Sequence, residues 1–223
     1  MDILVVGATR GTGRALTDTL VADGHTVTAF GRTATATFAT TPPGPGTLRA
    51  VDGDVLDADA VAKAVAGQDA VVVTLGISDN PVTVRLLRRA STALDVRSRG
   101  TAVVLGAMRD QGVRRVVVQT TYGLGDTWQR LDLRWKATFR LLLWPQLKDS
   151  AKQEDVVRAS GLDWTLVRPV ALSDAPTTTP ARVSDDGSAA GFTVSRHDLA
   201  RALADVATDR DRIGRTLAVS APA

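Results

Sequence analysis

The sequence predicts an α/β domain: a doubly wound parallel sheet with helices on both faces. Three observations predict it. The apolar runs are short and rich in Val and Ile, stretches with helical spacing separate them, and no internal repeat disturbs the alternation. At 223 residues the chain fits one domain, taken as 1–223. In chain order the strands are Ile3–Gly7, Thr26–Gly31, Leu48–Gly53, Ala70–Leu75, Arg115–Thr120, Trp164–Arg168 and Thr216–Ser220. The helices between them are Gly13–Asp23, Ala58–Ala66, Val96–Gln111, Leu131–Leu143, Gln153–Ser160 and Asp198–Thr208. Gly24, Gly112 and Gly161 each follow a helix where a left-handed cap residue is wanted, which supports those helix ends. Right-handed crossovers then give the strand order 3-2-1-4-5-6, with a ligand site at the carboxyl edge between strands one and four.

Two segments break the rhythm. Thr33–Thr47 is uncharged and contains Pro42-Pro43-Gly44-Pro45-Gly46, so it is expected to be a mobile loop. Ser173–Ala190 is rich in Thr, Pro, Asp and Gly. It is either a binding loop or hides short strands, for which Ala181-Arg182-Val183 and Phe192-Thr193-Val194 are candidates. Substrate-side loops are accordingly expected at about 121–148 and 170–195.

Composition narrows the function. The isoelectric point of 9.8 overstates the basicity, because 27 Lys+Arg face 24 Asp+Glu and few groups titrate between neutrality and the arginines. Dispersed charge without a basic stripe argues against nucleic acid. No apolar run approaches the ~20 residues that span a bilayer, so no membrane partner is expected. Zero Cys and two His leave no Cys-based or His-rich metal site, and a cytoplasmic location is expected from an N-terminus that enters a strand directly. The expected partner is a small-molecule substrate, and the expected state a monomer or homodimer.

The strongest motif follows the first strand: Gly7-Ala8-Thr9-Arg10-Gly11-Thr12-Gly13, then a helix. Gly7 permits the tight turn, Gly11 lets the backbone approach a pyrophosphate, and Gly13 lets the helix pack closely on the sheet, while the helix N-terminus offers N–H groups to the anion. This predicts a dinucleotide. Where an NAD-binding fold usually places an acid at the end of the second strand there is Arg32, and no Asp or Glu occurs between Asp23 and Asp52. With Arg10 in the glycine turn, two guanidiniums suit the 2′-phosphate of NADPH.

These residues carry a family resemblance across nearly the whole chain. Gly7-Ala8-Thr9 with Gly11-Thr12-Gly13-Arg14, Gly53-Asp54-Val55, Ser160 to Pro169 (SGLDWTLVRP) and Ser195-Arg196-His197-Asp198-Leu199-Ala200 are similar to motifs of the atypical short-chain dehydrogenase/reductases. The chain resembles their NmrA-like, NAD(P)H-binding group, near the biliverdin-IXβ/flavin reductases. The resemblance implies a Rossmann-like fold, an adenine contact at Asp54 and Val55, and a nicotinamide framed by Arg168 and Pro169. Thr9, Thr74-Leu75-Gly76 and Thr120-Thr121, at the carboxyl ends of strands, complete the expected cofactor set. Arg10 and Val170 stand where the family often has Gly.

The Tyr-xxx-Lys pair of most short-chain dehydrogenases is missing, since the single tyrosine, Tyr122, is followed four residues on by Asp126. Tyr122 remains a candidate proton donor or a packed residue. Lys148, Asp149, Lys152 and Glu154 are either a solvated charged face or groups overhanging the nicotinamide, with Lys148 the candidate for catalysis. His25 and His197 are read as structural. Trp128, Trp135, Phe139 and Trp144, with helical spacing through Leu131, Trp135, Thr138 and Leu142, are read as core or dimer packing, or as a wall for a flat substrate. An acceptor that takes its proton from solvent needs no such pair. The expectation is therefore an NADPH-dependent oxidoreductase acting on a conjugated, quinone- or flavin-like molecule. The alternative is a catalytically silent NADPH sensor.

Overall fold

The computed structural model describes residues 1–39, 44–76, 93–175 and 179–222, apart from the side chain of Leu142. It opens with β1 (Asp2–Val6), α1 (Gly11–Ala22) and β2 (Thr26–Gly31). There follow α2 (Ala34–Thr37), β3 (Thr47–Asp52), α3 (Ala58–Val65) and β4 (Ala70–Val73). The middle of the chain forms α4 (Val96–Asp110), β5 (Arg115–Gln119), α5 (Leu133–Thr138) and α6 (Trp144–Arg158). The last part contains β6 (Asp163–Pro169), β7 (Ala171–Ser173), β8 (Arg182–Ser184), β9 (Thr193–Ser195), α7 (Arg196–Thr208) and β10 (Arg215–Ser220).

The sheet runs β3-β2-β1-β4-β5-β6-β10-β8, parallel except for β8, which pairs antiparallel with β10. The expected 3-2-1-4-5-6 order is its first six strands. β1 sits between β2 and β4, in register Val5 with Ala29 and Val5 with Val72. Alternation along β1 sends Ile3 and Val5 to a core shared with Leu16, Leu20, Leu199 and Leu203 of α1 and α7. Leu4 and Val6 enter a second core with Val61, Val65, Leu105 and Val157 from α3, α4 and α6. Each core closes one face of the sheet, which is the Rossmann-like, single-domain arrangement expected. Asp57 caps α3 by accepting from the Asp59 and Ala60 amides at 3.0 and 3.1 Å.

Several elements differ from expectation. Within Thr33–Thr47 the chain makes α2, pinned where Asp52 accepts from the Thr35 amide at 2.9 Å and Arg14 lies 4.6 Å over the Phe38 ring and donates to the Thr37 carbonyl. These ties hold Thr35 to Phe38 against β3 and α1. Residues 40–43 of it, with Pro42 and Pro43, lie outside the described residues. The expected helix Leu131–Leu143 is instead α5 followed by a π-helical turn, Phe139–Leu143, that runs directly into α6. Pro145 falls in the first turn of α6, where it costs no hydrogen bond, so α6 starts nine residues before the expected Gln153. Both candidate strands in the late insert are real, as β8 and β9. β7, unforeseen, pairs parallel with β9. Residues 176–178 of that insert are outside the described set. No helix among the described residues is long and apolar enough to cross a membrane.

Candidate functional site: a dinucleotide crevice

A cavity of about 1010 Å³ opens at the carboxyl edge of the sheet over β1, β2 and β4. Its floor is the glycine turn. Gly7 (φ 87°) and Gly11 (φ 52°) hold left-handed backbone that other residues rarely adopt, and the Gly7 amide donates to the Phe30 carbonyl at 3.0 Å, tying the turn to β2. Gly13 does not line the cavity. It presses α1 onto the turn, since a Cβ there would lie 2.2 Å from the Gly7 carbonyl oxygen.

The N-terminus of α1 is built for an anion. No side chain caps it and its first turn holds no acidic residue, so its leading N–H groups and positive dipole end meet the cavity. Thr12 is buried, and its Oγ1 makes no hydrogen bond among the described residues. A buried hydroxyl left without a partner costs free energy that a phosphate oxygen would return. Thr74, in contrast, spends its hydroxyl on the Val6 carbonyl at 3.0 Å and acts as the strut between β4 and the turn.

At one end of the crevice lie Thr9, Arg10, Phe30, Gly31, Arg32, Asp54 and Val55. Asp54 accepts from the Leu56 amide at 2.9 Å, which shapes the turn after β3. The nearest acid of β3, Asp52, faces Thr35, whose two hydrogen bonds hold its carboxyl below the usual range. At the other end lie Leu75, Gly76, Arg97, Gln119 and Leu172. Sequence reasoning missed Arg97 and Gln119. Arg97 donates to Ser150 Oγ at 2.8 Å but its buried Nε has no partner among the described residues, nor does Gln119 Oε1. Burial lowers the Arg97 pKa, with Asp149 opposing. No local motif announces either residue, because each is brought in by the packing of α4 and β5.

Besides Gly13 and Tyr122, five predicted site residues stand elsewhere. Thr120, Thr121, Arg168 and Pro169 do not line the crevice as described. Arg168 is buried and donates to Glu154 from Nε at 2.8 Å and from NH2 at 2.7 Å, and to Asp126 at 2.6 Å, while Thr120 donates to Glu154 at 2.9 Å. Burial opposes ionisation of Glu154, but the guanidiniums of Arg168 and Arg158 and the Thr120 hydroxyl outweigh it and hold the carboxyl below its usual range. This is an internal ion cluster joining β6 to α6. Glu154 and Asp149 are thus not a solvated face, for buried Asp149 accepts from the Arg97 and Ser98 amides at 3.0 and 3.2 Å and caps α4. Lys148, the fifth, is exposed, lies 5.6 Å over the Trp144 ring, and does not reach the crevice.

Tyr122 is also displaced from the catalytic role considered for it. It is 3% exposed, its hydroxyl donates to the Gly187 carbonyl at 3.0 Å, and its ring meets Phe192 edge-on. Burial pushes its pKa up, the wrong direction for a group that must exchange a proton near neutrality. It latches the late insert to the end of β5. Tyr122→Phe is expected to lose ~1–2 kcal/mol of stability through the unmet carbonyl, measured by denaturant unfolding; an unchanged midpoint would refute the latch.

Of the two expected substrate-side segments, 170–195 reaches the crevice through Leu172 and Asp174, and 121–148 supplies no lining residue among those described. Trp135 stacks on Phe192 at 5.7 Å and packs with Phe139, whereas Leu133, Leu141 and Trp144 are exposed. His25 sits 3.5 Å from the N-terminal amine, and His197 is exposed beside Asp198.

Comparison with known proteins places this geometry. Solved structures share the fold over nearly the full length. The chain is 24% identical to ChuY, an anaerobilin reductase from Escherichia coli O157:H7, covering 100% of this chain and 98% of that one at a TM-score of 0.78. A short-chain dehydrogenase/reductase from Veillonella parvula, solved in complex with NADP, is 22% identical with coverage of 99% and 94% and a TM-score of 0.76. A Rossmann-fold NAD(P)-binding family protein from Shigella flexneri is 24% identical, with coverage of 99% and 93% and a TM-score of 0.71. The model of the NAD(P)H-binding family matches residues 7–210, from the first glycine of the turn to beyond α7, and the chain belongs to that family.

Proposed function

We propose that the protein is an NADPH-dependent reductase that delivers hydride to a small conjugated, quinone- or flavin-like acceptor. The observation that carries this reading is the lining of the crevice at the end opposite Arg10 and Arg32. Arg97, Gln119 and Leu172 are there, and no tyrosine, lysine or histidine lines the crevice among the described residues. A bound dihydronicotinamide supplies the hydride. What the chain contributes is orientation, worth up to ~7–11 kcal/mol in favourable cases, and polar groups that meet charge as it forms. Gln119 Oε1 can accept from an amide N–H, and the Arg97 guanidinium can donate to an oxygen that gains charge when a conjugated acceptor is reduced. The remaining proton comes from water, which electron-poor acceptors tolerate because general acid catalysis adds only ~10²–10⁴-fold. The anaerobilin reductase activity of a structural relative is consistent with such an acceptor.

The test is NADPH oxidation with menadione or free flavin, read by loss of cofactor absorbance, beside binding read by tryptophan quenching. Turnover is expected, and Tyr122→Phe should lower it by less than ~10-fold. Binding without turnover on any such acceptor would favour a sensor.

The choice of NADPH rests on Arg10 and Arg32 at the end of the crevice where Phe30, Gly31 and Asp54 also lie. Each charge-assisted contact is worth ~1.5–3 kcal/mol. Arg32→Ala is therefore expected to weaken NADPH by roughly 10- to 150-fold in a titration and leave NADH nearly unchanged. Equal loss for both would refute the assignment.

A further inference from the structure

We propose that Arg196 is a pyrophosphate ligand held in reserve by Asp174, so that the ion pair lying across the glycine turn opens when a dinucleotide binds. The inference rests on dinucleotide binding in the crevice and on nothing about the acceptor. Arg196 is the first residue of α7, and the start of that helix is fixed by Ser195, whose Oγ accepts from the Asp198 amide at 2.9 Å and donates to its carboxylate at 2.6 Å. From this anchored position the side chain reaches back over α1. A Cβ built on Gly11 would be 3.3 Å from Arg196 Nε and 3.5 Å from its Cδ, so the guanidinium stem covers the residue at which the turn opens toward the anion. Its NH1 lies 2.6 Å from Asp174 Oδ1.

Magnitudes decide which partner wins. The Asp174 side chain is 84% exposed, and an ion pair with so wet a partner is worth at most about a fivefold bias in an equilibrium. Phosphate oxygens at this spot would also be met by the uncapped N-terminus of α1 and by the partnerless Thr12 hydroxyl. A charge-assisted bond in that setting is worth ~10- to 150-fold. Arg196 therefore leaves Asp174 for the pyrophosphate. There is room for the exchange: a second cavity, of about 650 Å³, lies on the far side of the pair and shares Arg10, Gly11, Asp174 and Arg196 with the main crevice.

The pyrophosphate is common to NADPH and NADH, which separates Arg196 from Arg10 and Arg32. Titration of the full chain with NADPH, NADH and ADP-ribose is the experiment. Arg196→Ala is expected to weaken all three by the same factor, ~10- to 150-fold. Arg196→Lys, which keeps the charge without the fork, should fall between it and the wild type. Asp174→Asn, an exposed substitution that leaves folding intact, is expected to tighten all three by up to about fivefold. Loss confined to NADPH, wild-type affinities in Arg196→Ala, or weakening by Asp174→Asn would each overturn the proposal, the last by making the pair a scaffold. A wild-type chain that bound none of the three ligands would instead overturn the reading of the crevice.

Discussion

Gly13→Ala is expected to abolish measurable dinucleotide binding, with an affinity loss above ~100-fold. A Cβ at that position would lie 2.2 Å from the Gly7 carbonyl oxygen, 2.6 Å from Thr74 Oγ1 and 2.9 Å from the Gly7 carbonyl carbon. Two of those three atoms are backbone. Relief requires α1 to lift from the turn, which moves the N–H groups of its first turn and Thr12 away from the anion together. Overpacking of this kind costs ~1–3 kcal/mol and sometimes more, so stability falls as well. Gly106→Ala is the control: it lies in α4 and a Cβ there meets nothing within 4 Å. Relieved of glycine's entropy in a helix, that variant should gain up to ~1 kcal/mol and bind as the wild type does. Isothermal titration and thermal unfolding of the two variants check both signs. Normal binding by Gly13→Ala would mean that the contact between turn and helix is dispensable.

Arg168→Met is expected to be strongly destabilising. It removes the central cation of a cluster in which Arg168 and Glu154 side chains are each 4% exposed. Breaking a buried pair by deleting one partner costs ~3–5 kcal/mol. Glu154 keeps Arg158 at 2.9 Å and the Thr120 hydroxyl, so the lower end applies. For a chain of this length ~3 kcal/mol corresponds to a fall in Tm of ~6–12 °C. Pairing it with Glu154→Gln should restore part of the loss, because no unpaired charge is then buried. A drop under ~1 kcal/mol for Arg168→Met would refute the account.

The same cluster sets an acid limit. The Glu154 and Asp126 pKa values are depressed in the folded chain, through Arg168 in both cases. Each therefore contributes stability that is complete above its unfolded value, 4.5 for Glu154, and is lost as the pH falls through the folded one. In Glu154→Gln the stability curve below pH 4.5 should be flatter than in the wild type.

The cofactor half of the site was legible in the sequence because its determinants are local. A glycine turn, the helix after it and Arg32 at the end of the next strand all fall within the first 32 residues, and the period of two along β1 and β2 fixes where they meet. The other half was not legible. Arg168 enters the expected set through the family resemblance and Glu154 falls in a charged stretch open to two readings, yet the strand that presents Arg168 lies against α6, so the two charges neutralise each other inside the protein. Arg97 and Gln119 come from α4 and β5, and only the tertiary packing of those elements brings them to the crevice, as the packing of α7 brings Arg196 to its cofactor side. The succession of α5, the π-helical turn and α6 was likewise divided at the wrong place, since a proline in a first helical turn resembles a break when only the sequence is read.

The placement of β10 orders the assembly of the molecule. It is the last strand of the sheet in the chain, but it lies between β6 and β8, and β8, which precedes it by some thirty residues, has no other neighbour in the sheet. The Val170 amide donates to the Val219 carbonyl and the Ala221 amide to the Thr193 carbonyl, so both ends of the late insert are also tied to this segment. Loop closure must be met before such distant pairings are rewarded. The six-strand platform with the glycine turn can therefore consolidate from consecutive strand–helix units, whereas β8 and both ends of the insert complete their pairing only when β10 docks, beside the latch that Tyr122 makes to Gly187. The topology therefore predicts that the glycine-turn side of the sheet consolidates before the late insert.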